Sequence, residues 1–334
     1  LEDFLKALQE SSKKDLSGFL PWFCEAATPS VSIKEDYNPK NKTYNLNFTQ
    51  EKRSPNSPLL HIPIEFALLD EDGKQIKVQH KDISSTEDKL SSICELRSSS
   101  QELVFENIEK KPVLSALRGF SAPVKIQNKQ NTQELITLMQ HDSDPYNAWQ
   151  AAQNIYCELL LNLMNQTTEE KVQTYLADKD KIISAIKSIL HDRKKTPAQK
   201  ALMLEIPSFE KLLQITTQAD PDKILYAQES LNLWILAKLE DELLQIYTDV
   251  SSELSKSCYS KSAQDIGKRS LKNICLHILS KKYQEDIYTT VWQQFENADN
   301  MSDQYTSFAI LCSKENQYRS QAIKTFYSDY KDYS

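Results

Sequence analysis

The chain has 334 residues, of which 40% are apolar and 26% are charged, and its net charge is −7 at pH 7. This length predicts about two folded domains, and the composition excludes a disordered protein. Because no run of about 18 apolar residues occurs, no transmembrane helix is expected, and the acidic balance argues against a nucleic-acid-binding surface.

The cysteine spacing and the N-terminal residues indicate in which cellular compartment the protein is expected. The six cysteines form no CxxC pair, and their spacing matches neither a zinc ribbon nor a disulfide framework. A reducing, cytoplasmic environment is therefore expected. The first ten residues, LEDFLKALQE, read as the start of an acidic amphipathic helix and not as a signal peptide. Because the chain lacks an initiator Met, we expect it to be a piece of a longer protein.

Proline and glycine divide the chain into two halves of different structural class. Residues 1–128 hold three of the four Gly and eight of the twelve Pro. Helix interiors exclude Pro, whereas strands need turns between them, so the class should change near residue 128. Residues 1–27 predict a helical lead-in that breaks near Ser17 and Gly18.

The first half, after this lead-in, carries the period of two that is typical of half-buried strands. Tyr44, Leu46 and Phe48 alternate with polar residues, and residues 60–68 alternate in the same way. The turn at 70–73 then predicts a hairpin to Ile76 and Val78. Further short strands are predicted at 31–34, 93–96, 103–105, 113–117 and 124–126. Some seven strands predict an antiparallel sandwich, in which Pro63 marks an edge or a bulge.

The second half predicts helices joined by short loops. Three of its Pro residues follow Asp or Thr, which places each Pro at the first helical position. Thr167 and Ser262, each followed by an acid three residues later, predict two further helix starts. Three apolar stripes follow at helical spacing: Ile182, Ile183, Ile186, Ile189 and Leu190; Ile224, Leu231, Ile235, Leu239, Leu243 and Ile246; and Leu271, Ile274, Cys275 and Ile278. Eight to ten helices without a strict repeat predict an antiparallel, solenoid-like helical domain.

Several segments, in the same order along the chain, resemble the bacterial aminopeptidase N (alanyl aminopeptidase) family. They are DFLKALQESSKKDLSGFLPWFCEAATP (3–29), EDYNP (35–39), LHIPIEFALLDEDGK (60–74), FSAPVK (120–125), DPYNAWQAAQ (144–153), IGKRSLKNICL (266–276) and ADNMSD (298–303). The resemblance implies an all-β sandwich followed by an all-α helical-repeat domain. It also implies that residues 1–28 are a remnant of the last helices of a catalytic domain, 29–128 the sandwich, and 129–334 the helical domain, which is expected to continue beyond a helix at 327–334.

The resemblance implies that the parent protein is a zinc metallopeptidase of the HExxH class that removes N-terminal residues from peptides. The implied partners of this segment are the catalytic domain of its own chain and, in the parent, peptide substrates. Neither nucleic acid nor membrane is an expected partner, and the protein is expected to be a monomer. The segment should brace the catalytic domain and restrict access to its active site.

The residues needed for the zinc chemistry are missing from this sequence. No HExxH occurs, the five His are isolated, and the substrate-amine loop GxMxN that the resemblance implies is also absent. His61 and Glu65, four apart on a strand, would lie about 13 Å apart and could not share a metal. We therefore predict no catalytic residue, no metal ligand and no cofactor on this segment, and no activity of the segment alone.

Asn300 and Met301, in ADNMSD, are the candidate substrate-channel residues, and the competing interpretation is that they cap a helix. The alternative function is a stand-alone adaptor, in which the helical solenoid binds a partner protein along its concave face. The N-terminus discriminates between these functions, because an adaptor should begin with its own capped element, whereas residues 1–27 resemble an interdomain segment.

Overall fold

The computed structural model describes residues 1–24, 26, 28–52, 57–85, 91–256 and 258–332. Packing divides the chain into two compact units, Leu1–Ala151 and Ala152–Ser334, and each is described by itself below. No helix among the described residues is both long and apolar enough to cross a bilayer.

The first unit opens with α1 (Glu2–Ser12), a 3-10 turn (Ser17–Phe19) and the short α2 (Pro21–Cys24). The lead-in breaks earlier than predicted, because Lys13 adopts a left-handed conformation (φ 56°) and ends α1. Trp22 Nε1 donates a hydrogen bond to the carbonyl of His61 (3.0 Å), which fastens the lead-in to the sandwich.

Nine strands of the described residues form two sheets. They are β1 (Ser30–Asn38), β2 (Thr43–Gln50), β3 (Ile62–Leu69), β4 (Gln75–Ile76), β5 (Ile83–Ser85), β6 (Ser92–Leu96), β7 (Ser100–Phe105), β8 (Val113–Ala116) and β9 (Lys125–Gln127). One sheet has the order β7-β2-β1-β9, and the other has the order β4-β3-β6-β5 with β8 also paired to β3. The predicted sandwich is confirmed, and a single apolar core containing Tyr44, Leu46, Phe48, Phe66 and Phe105 fills it.

Four details of the sheet prediction need correction. The β1–β9 pair is parallel, since β9 re-enters the sheet after a crossover and not through a hairpin. β5 was not predicted, and Val78 lies outside the hairpin strand, because β4 ends at Ile76. Pro63 was predicted at an edge or a bulge, but β3 is an interior strand between β6 and β4; Pro63 pairs with Glu95 of β6 and has no second ladder partner in the described part of the chain.

The first unit continues past the last strand into α3 (Thr132–His141) and the start of α4 (Pro145–Leu163). Asn147 of α4 donates hydrogen bonds to Ser115 Oγ (2.8 Å) and to the Ala116 carbonyl (2.9 Å). The buried Arg118 guanidinium contacts Ser143 and lies 3.5 Å from the Asp142 carboxylate. These bonds tie the first helices to β8, so the compact unit extends beyond the change from strand to helix.

The second unit is all-helical, as predicted. After α4 it contains α5 (Glu169–Leu176), α6 (Asp180–His191), α7 (Pro197–Leu204), α8 (Phe209–Ile215), α9 (Pro221–Leu254), α10 (Ala263–Leu279), α11 (Glu285–Asn297), α12 (Met301–Ser313) and α13 (Arg319–Tyr330). Eleven α-helices therefore follow the sheets in the described residues, more than the eight to ten predicted, because α7 and α8 are too short to show a clear period.

Helix starts agree with the predicted caps with one exception. Thr196 and Asp220 cap α7 and α9, each followed by Pro at the first helical position. Ser262 caps α10 and accepts the backbone N–H of Asp265 (3.1 Å). The start predicted at Thr167 is wrong by one residue, since Thr168 caps α5. At the other end of the unit α13 stops at Tyr330, short of the predicted 327–334 helix, whose last two residues lie outside the described residues.

Candidate functional site

A pocket of about 660 Å³ opens on the helical unit where α7, α10 and α12 contribute side chains. This volume lies within the range of about 300–1,000 Å³ that is typical of small-ligand sites. α10 packs against both α7 and α12. Four residues of α10 face the pocket at positions i, i+3, i+4 and i+7, namely Ser270, Asn273, Ile274 and His277. This spacing is that of one continuous helix face.

The close approach of α10 to α7 depends on the only glycine of the second half. A Cβ atom placed on Gly267 would lie 2.9 Å from the Ala198 backbone nitrogen, closer than side chains tolerate. The small residues Ala198 and Ala201 then form one wall of the pocket, together with Leu202. Glycine at this position therefore sets the distance between the two helices that shape the pocket.

A buried polar network holds one side of the pocket. Asn273 Nδ2 donates to Asp303 Oδ1 (2.9 Å), and Gln294 Nε2 donates to Asn273 Oδ1 (2.9 Å). Lys272 Nζ contacts Asp303 Oδ2 at 2.5 Å, and both side chains of this ion pair are more than nine-tenths buried. Because all these groups have partners, the network fixes the orientation of Asn273 at the pocket wall.

The structure places Asn300 at the N-terminus of α12. Its Oδ1 accepts the backbone N–H of Asp303 (3.0 Å), which is an N-cap bond, and its Nδ2 donates to Asp303 Oδ2 (3.1 Å). Met301 is the first residue of α12 and is 48% exposed. It lies one turn before Tyr305, whose side chain lines the pocket, so Met301 belongs to the same helix face. Neither Asn300 nor Met301 lines the pocket itself.

The ionisable side chains in the described lining of the pocket are one histidine, one glutamate and one tyrosine. Burial lowers the pKa of His277 to about 4, with a smaller contribution in the same direction from Lys281, so the imidazole is neutral at pH 7. Glu205 also lines the pocket, is exposed, and has no ion-pair partner among the described residues. The described lining includes neither Lys nor Arg.

The arrangement does not fit a zinc ion. Among the described residues, no three side chains of His, Cys, Asp or Glu come together as metal ligands would. His61 is buried in the first unit, and its nearest carboxylate is Glu95, at 3.4 Å from Nε2 to Oε2, rather than the Glu65 considered from the sequence. The described side chains of the pocket can contact and orient a ligand, but they do not form a set of metal ligands.

Comparisons with known proteins agree with this architecture. Residues 27–129 match the domain of unknown function DUF3458, described as an Ig-like fold, and residues 132–334 match DUF3458_C, described as ARM repeats. The aminopeptidase N of Escherichia coli K12 is 33% identical over 312 residues, covering 90% of this chain and 34% of that protein. The aminopeptidase N of Haemophilus influenzae is 28% identical over 322 residues, covering 93% of the chain and 35% of that protein.

The likeness extends to a solved structure. The crystal structure of Legionella pneumophila aminopeptidase A in complex with aspartic acid aligns over the whole chain and 37% of its own length, with a TM-score of 0.82 and 24% identity. This match bears on the fold. The chain spans about a third of the length of the curated relatives that it matches.

Proposed function

Because this chain belongs to the family described by the DUF3458_C ARM-repeat domain, we propose that it is the non-catalytic C-terminal portion of an aminopeptidase that removes N-terminal residues from peptides. The observation that carries the proposal is the alignment of nearly the whole chain with one third of aminopeptidase N. The catalytic zinc that the resemblance implies would then be held by another part of the parent protein.

The proposed bracing role rests on the lead-in, which the resemblance assigns to the end of the catalytic domain. Trp22 fastens it to the sandwich at the His61 carbonyl, and α1 carries an exposed apolar surface. Phe4 and Leu8, four residues apart and therefore on one face of the helix, are 63% and 41% exposed. Leu5, in contrast, is buried. An exposed apolar stripe of this kind marks a surface that packs against another protein element. We assign it to the catalytic domain of the parent chain.

The proposed access role rests on the helical unit. Its pocket offers a place where peptides can be contacted away from the chemistry, and a helical cover restricts which substrates reach a catalytic centre. Asn300 and Met301 are proposed as residues along the substrate route, beside the pocket face of α12. In this proposal the parent protein is cytoplasmic.

The experiment compares the parent enzyme with a form that ends after α4 at Leu163, which keeps the helices bonded to β8, using an alanyl dipeptide, a long unfolded peptide and a folded protein as substrates. The proposal expects discrimination against the large substrates to fall while dipeptide hydrolysis persists. Asn300→Ala and Met301→Ala test the substrate route in the intact enzyme, and unchanged discrimination in both would remove them from it. An equal loss of turnover on every substrate, with the fold intact, would mean that the helical unit takes part in the chemistry.

The bracing role has its own test. Phe4→Ser combined with Leu8→Ser should lower the melting temperature of the parent enzyme, whereas Lys6→Ser on the exposed polar face of α1 should leave it unchanged. Equal melting temperatures for all three proteins would contradict the bracing role.

The ARM-repeat description also favours the adaptor alternative. An adaptor would bind a separate partner protein and would be encoded without a catalytic domain. Absence of HExxH from the complete reading frame would contradict the proposed function, and binding of a separate partner protein along the helical unit would then support the alternative.

A further inference from the structure

Three polar groups in the pocket of the helical unit are not used by the fold. Within the described residues, the Glu205 carboxylate, the His277 imidazole and the Tyr305 hydroxyl have no hydrogen-bond or ion-pair partner. Asn273, in contrast, is held by Asp303 and Gln294. His277 is half-buried and lines the pocket, so its imidazole lies where a ligand in the pocket could exchange hydrogen bonds with it in place of water.

The remaining lining fixes the chemistry of that ligand. Leu202, Leu204, Ile206 and Ile274 give the pocket apolar walls, and the exposed Tyr305 ring stands at its rim. An aromatic rim and aliphatic walls suit a bulky apolar group. A neutral imidazole, one free carboxylate and no basic side chain in the described lining disfavour an anion.

We propose that this pocket binds a peptide through a large apolar side chain flanked by a neutral or positively charged residue, with Glu205 facing the positive charge and with His277 and Tyr305 hydrogen-bonding the peptide backbone. The choice of a peptide as the ligand rests on the proposed function. The site is a peptide-binding subsite on the helical unit, separate from any catalytic residue.

The test is calorimetric titration of the 334-residue chain with three tripeptide amides, Lys-Phe-Leu, Glu-Phe-Leu and Lys-Ser-Ser. Saturable binding is expected for Lys-Phe-Leu, with affinities at least about tenfold weaker for the acidic and the polar peptide. Equal binding of all three, or no saturable binding of Lys-Phe-Leu, would overturn the proposal.

Two variants locate the site. Ala309 lies on the exposed side of α12 and lines the pocket, so Ala309→Trp should block it and weaken Lys-Phe-Leu binding at least about tenfold. Ala7→Trp places the same side chain on an exposed helical position of α1 and should leave binding unchanged. Equal affinity in the Ala309→Trp chain would overturn the location.

A measurement on the unaltered chain covers the case in which Ala309→Trp fails to fold. A Lys-Phe-Leu amide with benzoylphenylalanine in place of Phe should crosslink to segments that contain Leu202 or Tyr305, and crosslinks elsewhere would contradict the site. Because no catalytic partner is needed, this result is independent of the substrate comparison above. If the parent enzyme discriminates against large substrates but the chain does not bind Lys-Phe-Leu in the pocket, the subsite is refuted and the proposed function is not.

Discussion

The two compact units treat their buried carboxylates differently. In the first unit, Asp142 is almost fully buried, its Oδ2 has no hydrogen-bond partner among the described residues, and burial raises its pKa despite the neighbouring Arg118. In the helical unit, both oxygens of Asp303 are bonded, by Lys272, Asn273 and the Asn300 cap. The helical network is therefore the more completely paired of the two, and it lies beside an open pocket.

The first unit has the character of a structural scaffold, whereas the helical unit contains the candidate binding site. The sandwich core consists of interleaved apolar side chains from two sheets. The helical unit instead fixes Asn273 by its neighbours while leaving His277 and Glu205 free to meet a ligand. The expectation is that the first unit supplies rigidity, whereas the second unit supplies recognition.

The largest expected effect concerns the buried ion pair of the helical unit. Lys272→Ala leaves the Asp303 carboxylate buried without its cation and should lower the free energy of unfolding by about 3–5 kcal/mol. Lys282→Ala removes a comparable but exposed pair with Glu240 and should cost about 1 kcal/mol or less. Urea unfolding of both variants measures the difference, and equal midpoints would show that burial of the pair contributes nothing.

The apolar cores of the two units should respond alike. Leu46 of the sandwich and Leu231 and Ile235 of α9 are fully buried, so each replacement by Ala should cost about 2–4 kcal/mol. Leu233→Ala, at an exposed position of α9, should change stability by less than about 0.5 kcal/mol. If Leu231→Ala matches Leu233→Ala in urea unfolding, the apolar stripe of α9 does not pack as described.

Burial lowers the pKa of a histidine in each unit, His61 in the first and His277 in the helical unit, and the pH effect of His277 can be isolated by substitution. The pKa of His277 falls from 6.5 to about 4 on folding, so between these values the unfolded chain binds a proton that the folded chain does not. Stability should therefore be complete above pH 6.5 and decline as the pH falls toward 4, by at most about 3 kcal/mol. His277→Gln should remove this part of the slope, while His191→Gln, at an exposed position, should retain it. Identical slopes for the two variants would contradict the assignment.

The smallest change in stability is expected for substitutions at the N-terminus of α12. Asn300→Ala removes an N-cap and should cost about 1 kcal/mol in thermal unfolding. Met301→Ala, at an exposed position, should cost less than about 0.5 kcal/mol. A larger loss for Met301→Ala than for Asn300→Ala would mean that Met301 packs against a neighbour in solution.

Local chemistry made most of the fold predictable. The alternation of Tyr44, Leu46 and Phe48 identified β2, and Asp or Thr before Pro identified the starts of α4, α7 and α9. The errors lie where a local pattern is ambiguous or where pairing is distant. Thr167 and Thr168 are equally good caps by residue type, and the parallel β1–β9 pair joins segments about ninety residues apart in sequence.

The pocket could not be predicted in the same way, because its lining comes from Ala198 through Ala309, on helices that meet only in the folded unit. One signal was present. Ser270, Asn273 and His277 give α10 a polar stripe at helical spacing beside the apolar stripe that predicts the helix. The interpretation of Asn300 as a helix cap was available from its residue type, and the structure shows that bond.

We propose that this chain contributes structure and recognition to a peptidase but no chemistry. The most direct measurement is hydrolysis of an alanyl chromogenic substrate by the purified chain, together with its zinc content after dialysis. We predict no hydrolysis above the buffer rate and no stoichiometric zinc, because neither the sequence nor the described residues provide a metal-ligand set. One tightly held zinc per chain, with hydrolysis that a chelator abolishes, would contradict it.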